Sequence, residues 1–303
     1  MGAPAARYHD FSRIWNSAGH SVTILTAFPN YPDGKIDPKY RSKLYDVENI
    51  NGTRVIRLWV WASPRLHYID KALGYISFTL LASLYLLFSK IQYDLVVATS
   101  PPPSVWIPGI VAAKLGKMPL IADIRDFWPE GLVNSHRLRN RTLIRMLRFL
   151  EKSFYRHASL ITVVTSGKKR VMQERYPKMT IEVIPNSVDP GPVNSAKSSG
   201  PELELLFSRY NHCFVYAGVF NPPQGLDVIL QATDILNHRL SEKIRFGVVM
   251  IGDGSERKQI ANEIKQLGLG NVHLTGIRSK EEVFTCLRRA RAIIVPLKKR
   301  NDT

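Results

Sequence analysis

Apolar residues follow two alternating rhythms along the chain. Short runs rich in Val, Ile and Leu lie at 21–26, 55–61, 94–99, 119–123, 160–164 and 181–184, with helical patterning between them. That order predicts parallel strands joined by crossover helices. A second series follows, with strands predicted at 214–217, 246–251, 272–275 and 292–295 and helices near 225–238, 256–267 and 280–290. Between the two series, residues 187–201 are rich in Pro, Ser and Gly, as a linker is. The pattern predicts an α/β protein of two Rossmann-like domains facing each other across a cleft, each with a mostly parallel sheet. The boundaries fall at 1–190 and 213–303, with a linker over 191–212. A length of 303 residues fits two domains.

Both ends depart from that architecture. A doubly wound domain normally opens with a strand that becomes central, whereas this chain leads from Met1-Gly2-Ala3-Pro4 into a helix expected to run to about Ala18. The second series stops at Thr303, eight residues past its final strand, so the C-terminal domain is expected to be incomplete.

Composition excludes several classes. Cys213 and Cys286 are the only cysteines, each within an apolar or helical run, which rules out a disulfide scaffold and a Cys-based zinc site. The eight histidines form no His-x-x-x-His pair, so no metal site is expected. The first twenty residues read as an amphipathic helix containing Arg7 and Arg13, not as a secretory signal, and the expected compartment is the cytoplasm.

Charge adds a surface to the picture. The chain carries a net +17, of which +12 falls in residues 1–190. Arg141, Arg145, Arg148, Lys152 and Arg156 recur at helical spacing, and Leu143, Leu147, Leu150 and Phe154 form a second stripe nearly opposite. Two readings fit: a core-packed helix with a solvated cationic face, or a face lying on anionic lipid headgroups or phosphorylated ligands. Residues 73–88 hold no charge and are bracketed by Lys71 and Lys90. Sixteen residues fall short of the ~20 needed to span a bilayer. They predict an apolar helix buried against a sheet or dipped into a membrane interface. Nucleic acid is not an expected partner, because the arginines line one helix without interleaved exposed aromatics.

Ligands of parallel α/β sheets bind beyond the carboxyl ends of strands, where helix N-termini receive phosphate. Three such strand ends carry glycine in the second domain: Gly218 with Gly225, then Gly252-Asp253-Gly254, then Gly276-Ile277. Together they suggest a nucleotide-diphosphate site. The third glycine of a dinucleotide fingerprint is missing after Gly254, and Gly167-Lys168-Lys169 lacks P-loop spacing. In the first domain, Arg125, Asp126 and Glu130 cluster with Trp128 and Pro129 after a buried-type strand. That cluster is either a salt-bridged loop or a site that handles an acceptor.

RDFWPE at 125–130, TSPPP at 99–103, FPNYPDG at 28–34, IPNSVD at 184–189, YAG at 216–218, QGLD at 224–227 and IGDG at 251–254 resemble family 4 glycosyltransferases of GT-B fold. The fucosamine-transferase-like branch that builds bacterial surface polysaccharides is the nearest in pattern. The resemblance implies metal-independent transfer of a sugar, with retention, from a nucleotide diphosphate, UDP-linked, that serves as substrate; no cofactor is implied. It implies a lipid-linked or polysaccharide acceptor on the N-terminal domain, with Glu130 and the Arg141–Arg156 stripe on a face that meets the inner leaflet.

By position, Gly2 and Ala3 match a glycine-rich loop near the donor phosphates. Arg125 stands where relatives carry a histidine against the transferred sugar, and Asp126 follows it. Gly218, Gly225, Gly252, Asp253, Gly254, Gly276 and Ile277 match donor-binding positions. Relatives place an Arg or Lys within the 218–225 loop, which here reads Val-Phe-Asn-Pro-Pro-Gln. The family's Glu-x7-Glu segment would fall beyond Thr303. The resulting expectation is a truncated descendant of an active enzyme, and the alternative is an inactive homologue that binds nucleotide sugar or membrane.

Overall fold

Strands and helices form where the two rhythms predict them, with one hairpin and one helix added. The computed structural model describes residues 3–30, 34–64, 68–90, 92–134, 140–187, 191, 200–240 and 244–298. The chain divides into two compact units, Met1–Ser187 and Val188–Thr303.

In the first unit the order is α1 (Ala3–Ser17), β1 (Thr23–Ala27), β2 (Tyr45–Ile50), β3 (Thr53–Leu58), α2 (Tyr68–Phe88) and β4 (Val96–Ser100). It continues through α3 (Trp106–Gly116), β5 (Leu120–Ile124), α4 (Glu130–Asn134), α5 (Arg141–Tyr155), β6 (Leu160–Val163), α6 (Ser166–Arg175) and β7 (Ile181–Val183). β4, β5, β6 and β7 make one parallel sheet in that order, while β1, β3 and β2 make a second. Within the second sheet β1 runs parallel to β3, and β2 is antiparallel to it. β2 is a strand the apolar pattern omits, because Tyr45–Ile50 alternates exposed and half-buried residues. Its signal is the turn: Asn51 and Gly52 both have positive φ, 51° and 81°, the pair that a two-residue hairpin turn prefers.

Trp106, Tyr155, Ile124, Ile161 and Met172 fill the core of the four-stranded sheet, each no more than 2% exposed. α5 meets that core with only part of its predicted apolar stripe: Phe154 packs there against Trp106 and Leu147 is half-buried. Glu151 and Tyr155 are buried, whereas Leu143, Met146, Phe149 and Leu150 stay exposed. The outward side of α5 is therefore cationic along one edge and apolar along the other.

The second unit runs α7 (Pro201–Ser208), β8 (His212–Ala217), α8 (Asp227–Arg239), β9 (Phe246–Ile251), α9 (Arg257–Gln266), β10 (Val272–Gly276), α10 (Lys280–Arg289) and β11 (Ala292–Ile293). Its four strands are all parallel, in the order β10-β9-β8-β11. All six residues of β9 are buried, as a central parallel strand covered on both faces requires. Val248 and Met250 pack with Ile229, Leu230 and Ile260 on one face. Val249 and Ile251 pack with Leu203, Phe207 and Cys286 on the other. α7 lies inside the stretch predicted as linker. Leu203 and Phe207, four residues apart, are buried on its inner side, so these residues belong to the core of the unit.

Candidate functional site

At the carboxyl end of the four-stranded sheet, the register aligns Thr99 of β4, Asp123 of β5 and Thr162 of β6 in one row. Both threonine hydroxyls donate to the Asp123 carboxylate, at 2.8 and 2.9 Å. From α1 the Tyr8 hydroxyl donates at 2.9 Å, and an Arg7 Nη2 lies 3.6 Å away. Asp123 is only 2% exposed, and a polar group this deep needs such a set of donors to offset its burial. Burial, with the Asp123 charge second, pushes the Tyr8 phenol well above its usual range. Arg7 also donates to the Ile184 and Pro185 carbonyls and to Asn186, 2.9 Å each, which ties α1 to the segment after β7.

Arg125 joins this row through Thr99. Its Nε donates to Thr99 Oγ1 at 3.1 Å and to the Ser100 carbonyl at 3.2 Å, while Nη2 reaches the Pro101 carbonyl at 3.4 Å. These partners are neutral, so the guanidinium keeps its charge at the strand ends. Asp126 lies apart from the row: its side chain is 73% exposed and pairs at 3.2 Å with Lys168, which also donates to the Arg125 carbonyl. Gly2 lies outside the described residues, and Ala3 is the first residue of α1.

Glu130 faces inward to α5 and α6, accepting from Arg148 Nε at 3.2 Å with Arg175 Nη1 at 3.4 Å. Its other oxygen, Oε2, is buried without a hydrogen-bond partner among the described residues. Of the basic stripe, Arg148 is therefore paired with Glu130 although its side chain is still 53% exposed, and Arg141, Arg145, Lys152 and Arg156 are exposed too. Beneath it, Glu151 accepts from Tyr155 Oη at 2.7 Å, and burial raises its carboxyl to about 7.

The strand ends of the second unit are built from backbone. A Cβ on Gly252, whose φ is 140°, would stand 1.8 Å from the Gly218 carbonyl oxygen, and one on Gly254 would stand 2.4 Å from that of Phe220. No other residue fits either position. The loops after β8, β9 and β10 are also stitched together. Gly218 N–H donates to Ile251 O, Phe220 N–H to Asp253 O and Gly252 N–H to Gly276 O, all at 2.9 Å. Gly225 and Gly276 have positive φ, 63° and 75°. Ile277, next along, is 79% exposed. Sequence reasoning passed over two cations that the structure brings to these glycines, Arg257 beside Gly276 and Lys298 beside Gly225. Their signal was faint: Arg257 reads as an ordinary helix residue, and Lys298 follows the final strand.

α2 is longer than its uncharged stretch, and residues 69–88 meet the length and hydropathy of a membrane span, with 17% of that window buried. Ala82 is fully buried against Ile56 and Leu58. Ile69, Leu73, Ile76, Leu80, Leu84 and Leu87 are exposed, spaced four, three, four, four and three residues apart, which makes one stripe along the helix. Leu81 packs inward beside Tyr85.

Comparison with known proteins matches residues 2–187 to the glycosyl transferase 4-like domain and residues 208–300 to the glycosyl transferases group 1 family. The O-antigen chain mannosyltransferase C of Escherichia coli is 28% identical over 89 residues, 29% of this chain and 22% of that protein. The chain aligns with about a quarter of the length of the curated relatives it matches. Among solved structures, the sucrose-phosphate synthase of Thermosynechococcus elongatus covers all of this chain and 72% of its own, with TM-score 0.67 and 17% identity. An E. coli trehalose-6-phosphate structure bound with UDP-2-fluoro glucose covers 92% and 79%, with TM-score 0.62 and 12% identity. At such identities the likeness is one of fold, the GT-B α/β architecture.

Proposed function

The chain belongs to the glycosyl transferase 4-like family, and from that footing we propose that it transfers a sugar from a nucleotide diphosphate to a lipid-linked acceptor. The observation that carries this reading is the match of two glycosyltransferase families, in order, over the two α/β units. In the transfer, the bond from the anomeric carbon to the diphosphate breaks and a bond to the acceptor oxygen forms. The acceptor proton leaves with the diphosphate. The family pattern further suggests retention at the anomeric carbon without a metal. Arg125 is assigned to contact the transferred sugar, because its charge is held by neutral oxygens at a strand end. Gly218, Gly225, Gly252 to Gly254, Gly276 and Ile277 are assigned to the donor. The UDP-2-fluoro glucose bound to the E. coli neighbour makes UDP the first nucleotide to try. The test is release of UDP from UDP-sugars by the full chain in the presence of a polyprenyl-diphosphate-linked sugar. Turnover above the level of an Arg125→Ala variant supports the reading, and no turnover with any nucleotide-diphosphate sugar sinks it.

The acceptor end of the proposal rests on α2 and α5. α2 is buried along one side, at Ala82 and Thr79, so lipid could reach only its outer stripe. That geometry fits a helix lying in the interface of an anionic bilayer better than one crossing it. The exposed Arg141, Arg145, Lys152 and Arg156 of α5, beside Met146 and Phe149, supply matching charge and apolar contact. Leu80→Asp and Leu84→Asp should cut flotation with phosphatidylglycerol-containing vesicles several-fold while leaving the melting temperature unchanged. Equal flotation of wild type and variants counts against the bilayer. Leu81 is unsuited to the test, because it packs in the core.

A further inference from the structure

The loop from Gly218 to Gly225 holds no cation, and several amides of the glycine loops are already engaged. Gly218, Phe220 and Gly252 donate their N–H groups to carbonyls of neighbouring loops. Gly254 N–H donates to the Asp253 carboxylate at 2.7 Å, and Ser255 N–H to the Asn221 side chain at 3.2 Å. A diphosphate carries more than one negative charge, and its stabilisation needs donors or cations aimed at it. With these amides engaged and no cation in the loop, cationic side chains from outside it are the source of charge nearest to hand.

Two cations reach the place from elsewhere in the unit. Arg257 opens α9, three residues after Gly254, and turns back over the end of β10. Its Nη1 and Nη2 lie 3.3 and 3.7 Å from where a Cβ would stand on Gly276. A side chain at 276 would crowd the guanidinium, and the φ of 75° favours glycine there as well. Nη1 pairs with Asp253 Oδ2 at 3.3 Å, with the arginine side chain 38% exposed. Lys298 lies along Gly225, with Cγ 3.0 Å from its Cβ position, and Nζ is 3.4 Å from Asp227 Oδ1. Solvent-exposed pairs of this kind contribute little, so either cation can exchange its carboxylate for a phosphate oxygen at small cost.

We propose that Arg257, assisted by Lys298, binds the diphosphate of the donor in this chain, in place of a cation within the 218–225 loop. The proposal rests on the reading of these strand ends as the donor site. A guanidinium matches paired phosphate oxygens in a way an ammonium cannot, so the effect of Arg257 should depend on the second phosphate. Asp253, in turn, is a positioning residue that holds the guanidinium over the glycine.

Calorimetric titration of the full chain with UDP, UMP, GDP and GMP tests it. The wild type is expected to bind one diphosphate at least tenfold more tightly than the matching monophosphate. Arg257→Gln should erase most of that margin with monophosphate binding retained, Arg257→Lys should keep part of it, and Lys298→Gln should lower it about threefold. An undiminished margin in Arg257→Gln overturns the assignment while leaving the donor site standing. Equal loss of monophosphate and diphosphate binding in both Arg257 variants also overturns it, because charge on the second phosphate would then not be the cause. Failure of the wild type to bind either diphosphate overturns the donor-site reading and this proposal with it.

Discussion

Both units present a candidate site at the carboxyl ends of parallel strands, yet they are made from different materials. The first is a lattice of side chains: Asp123 gathers Thr99, Thr162, Tyr8 and Arg7 from two neighbouring strands and a helix, and Thr99 passes the order on to Arg125. The second is backbone laid on backbone, with Gly252 and Gly254 allowing carbonyls to approach where any Cβ would collide. The contrast teaches where each site is vulnerable. A side-chain lattice fails by stranding a charge, while a backbone weld fails by a single added carbon.

The tryptophans make the contrast measurable. All five, Trp15, Trp59, Trp61, Trp106 and Trp128, lie in the first unit, so their fluorescence follows that unit alone while circular dichroism follows both. The largest effect is expected from Gly252→Ala, whose methyl would sit 1.8 Å from the Gly218 oxygen on a φ of 140°. It should cost about 4 kcal/mol or abolish the fold of the second unit. The dichroism of that unit should melt early in urea while the tryptophan transition stays in place. A shared shift of both signals would break the comparison.

Next in size is Asp123→Asn, which keeps the shape but leaves the buried Arg7 without its counter-charge. Removing one partner of a buried pair costs about 3 kcal/mol. Here the tryptophan midpoint in urea should fall, with the rest of the dichroism transition unmoved. An unchanged midpoint would mean that the carbonyls of Ile184 and Pro185 and the Asn186 side chain satisfy Arg7 by themselves.

How each site is built also decided how much of it was legible in the sequence. Strands β4 to β10 were visible because buried parallel strands read as continuous apolar runs, and Gly252 and Gly254 stood out because close backbone approach demands glycine. The Asp123 lattice was not visible, because Tyr8 lies 115 residues from it in sequence and only the register of three strands brings Thr99 and Thr162 into its row. α5 was legible in part. Its predicted stripe reached the core at Phe154, while Leu143 and Leu150 stayed exposed and the deepest places went to Tyr155 and to Glu151, whose carboxyl burial raises to about 7. The stretch at 191–212 looked like linker by its Pro and Ser content, which hid the buried pair Leu203 and Phe207.

Glu151 provides the smallest and most selective test of the contrast, because it is a titrating group in the first unit's core. Tyr155, Tyr176, Glu130, Arg148 and Arg175 surround it, and burial raises its carboxyl from 4.5 to about 7. The folded protein then holds the proton more tightly than the unfolded chain. Its stabilising contribution is complete below pH 4.5 and is lost as the pH rises through about 7. Glu48 works in the opposite sense: hydrogen bonds from Arg57 and then Lys39 lower its carboxyl to about 2, so its contribution is lost only as the pH falls below 4.5. The two windows do not overlap. Between pH 5 and 7 the wild type should lose about 2 kcal/mol from the Glu151 proton alone. Glu151→Gln, which still accepts from Tyr155, should flatten the tryptophan midpoint over that interval. Trp106 stacks edge-on at 5.1 Å against Tyr155, the hydrogen-bond donor to Glu151, and so lies one residue from the group that titrates. A wild-type midpoint already flat from pH 5 to 7 would mean that the carboxyl ionises in place, and the first unit's core would then be as indifferent to protons as the glycine weld of the second.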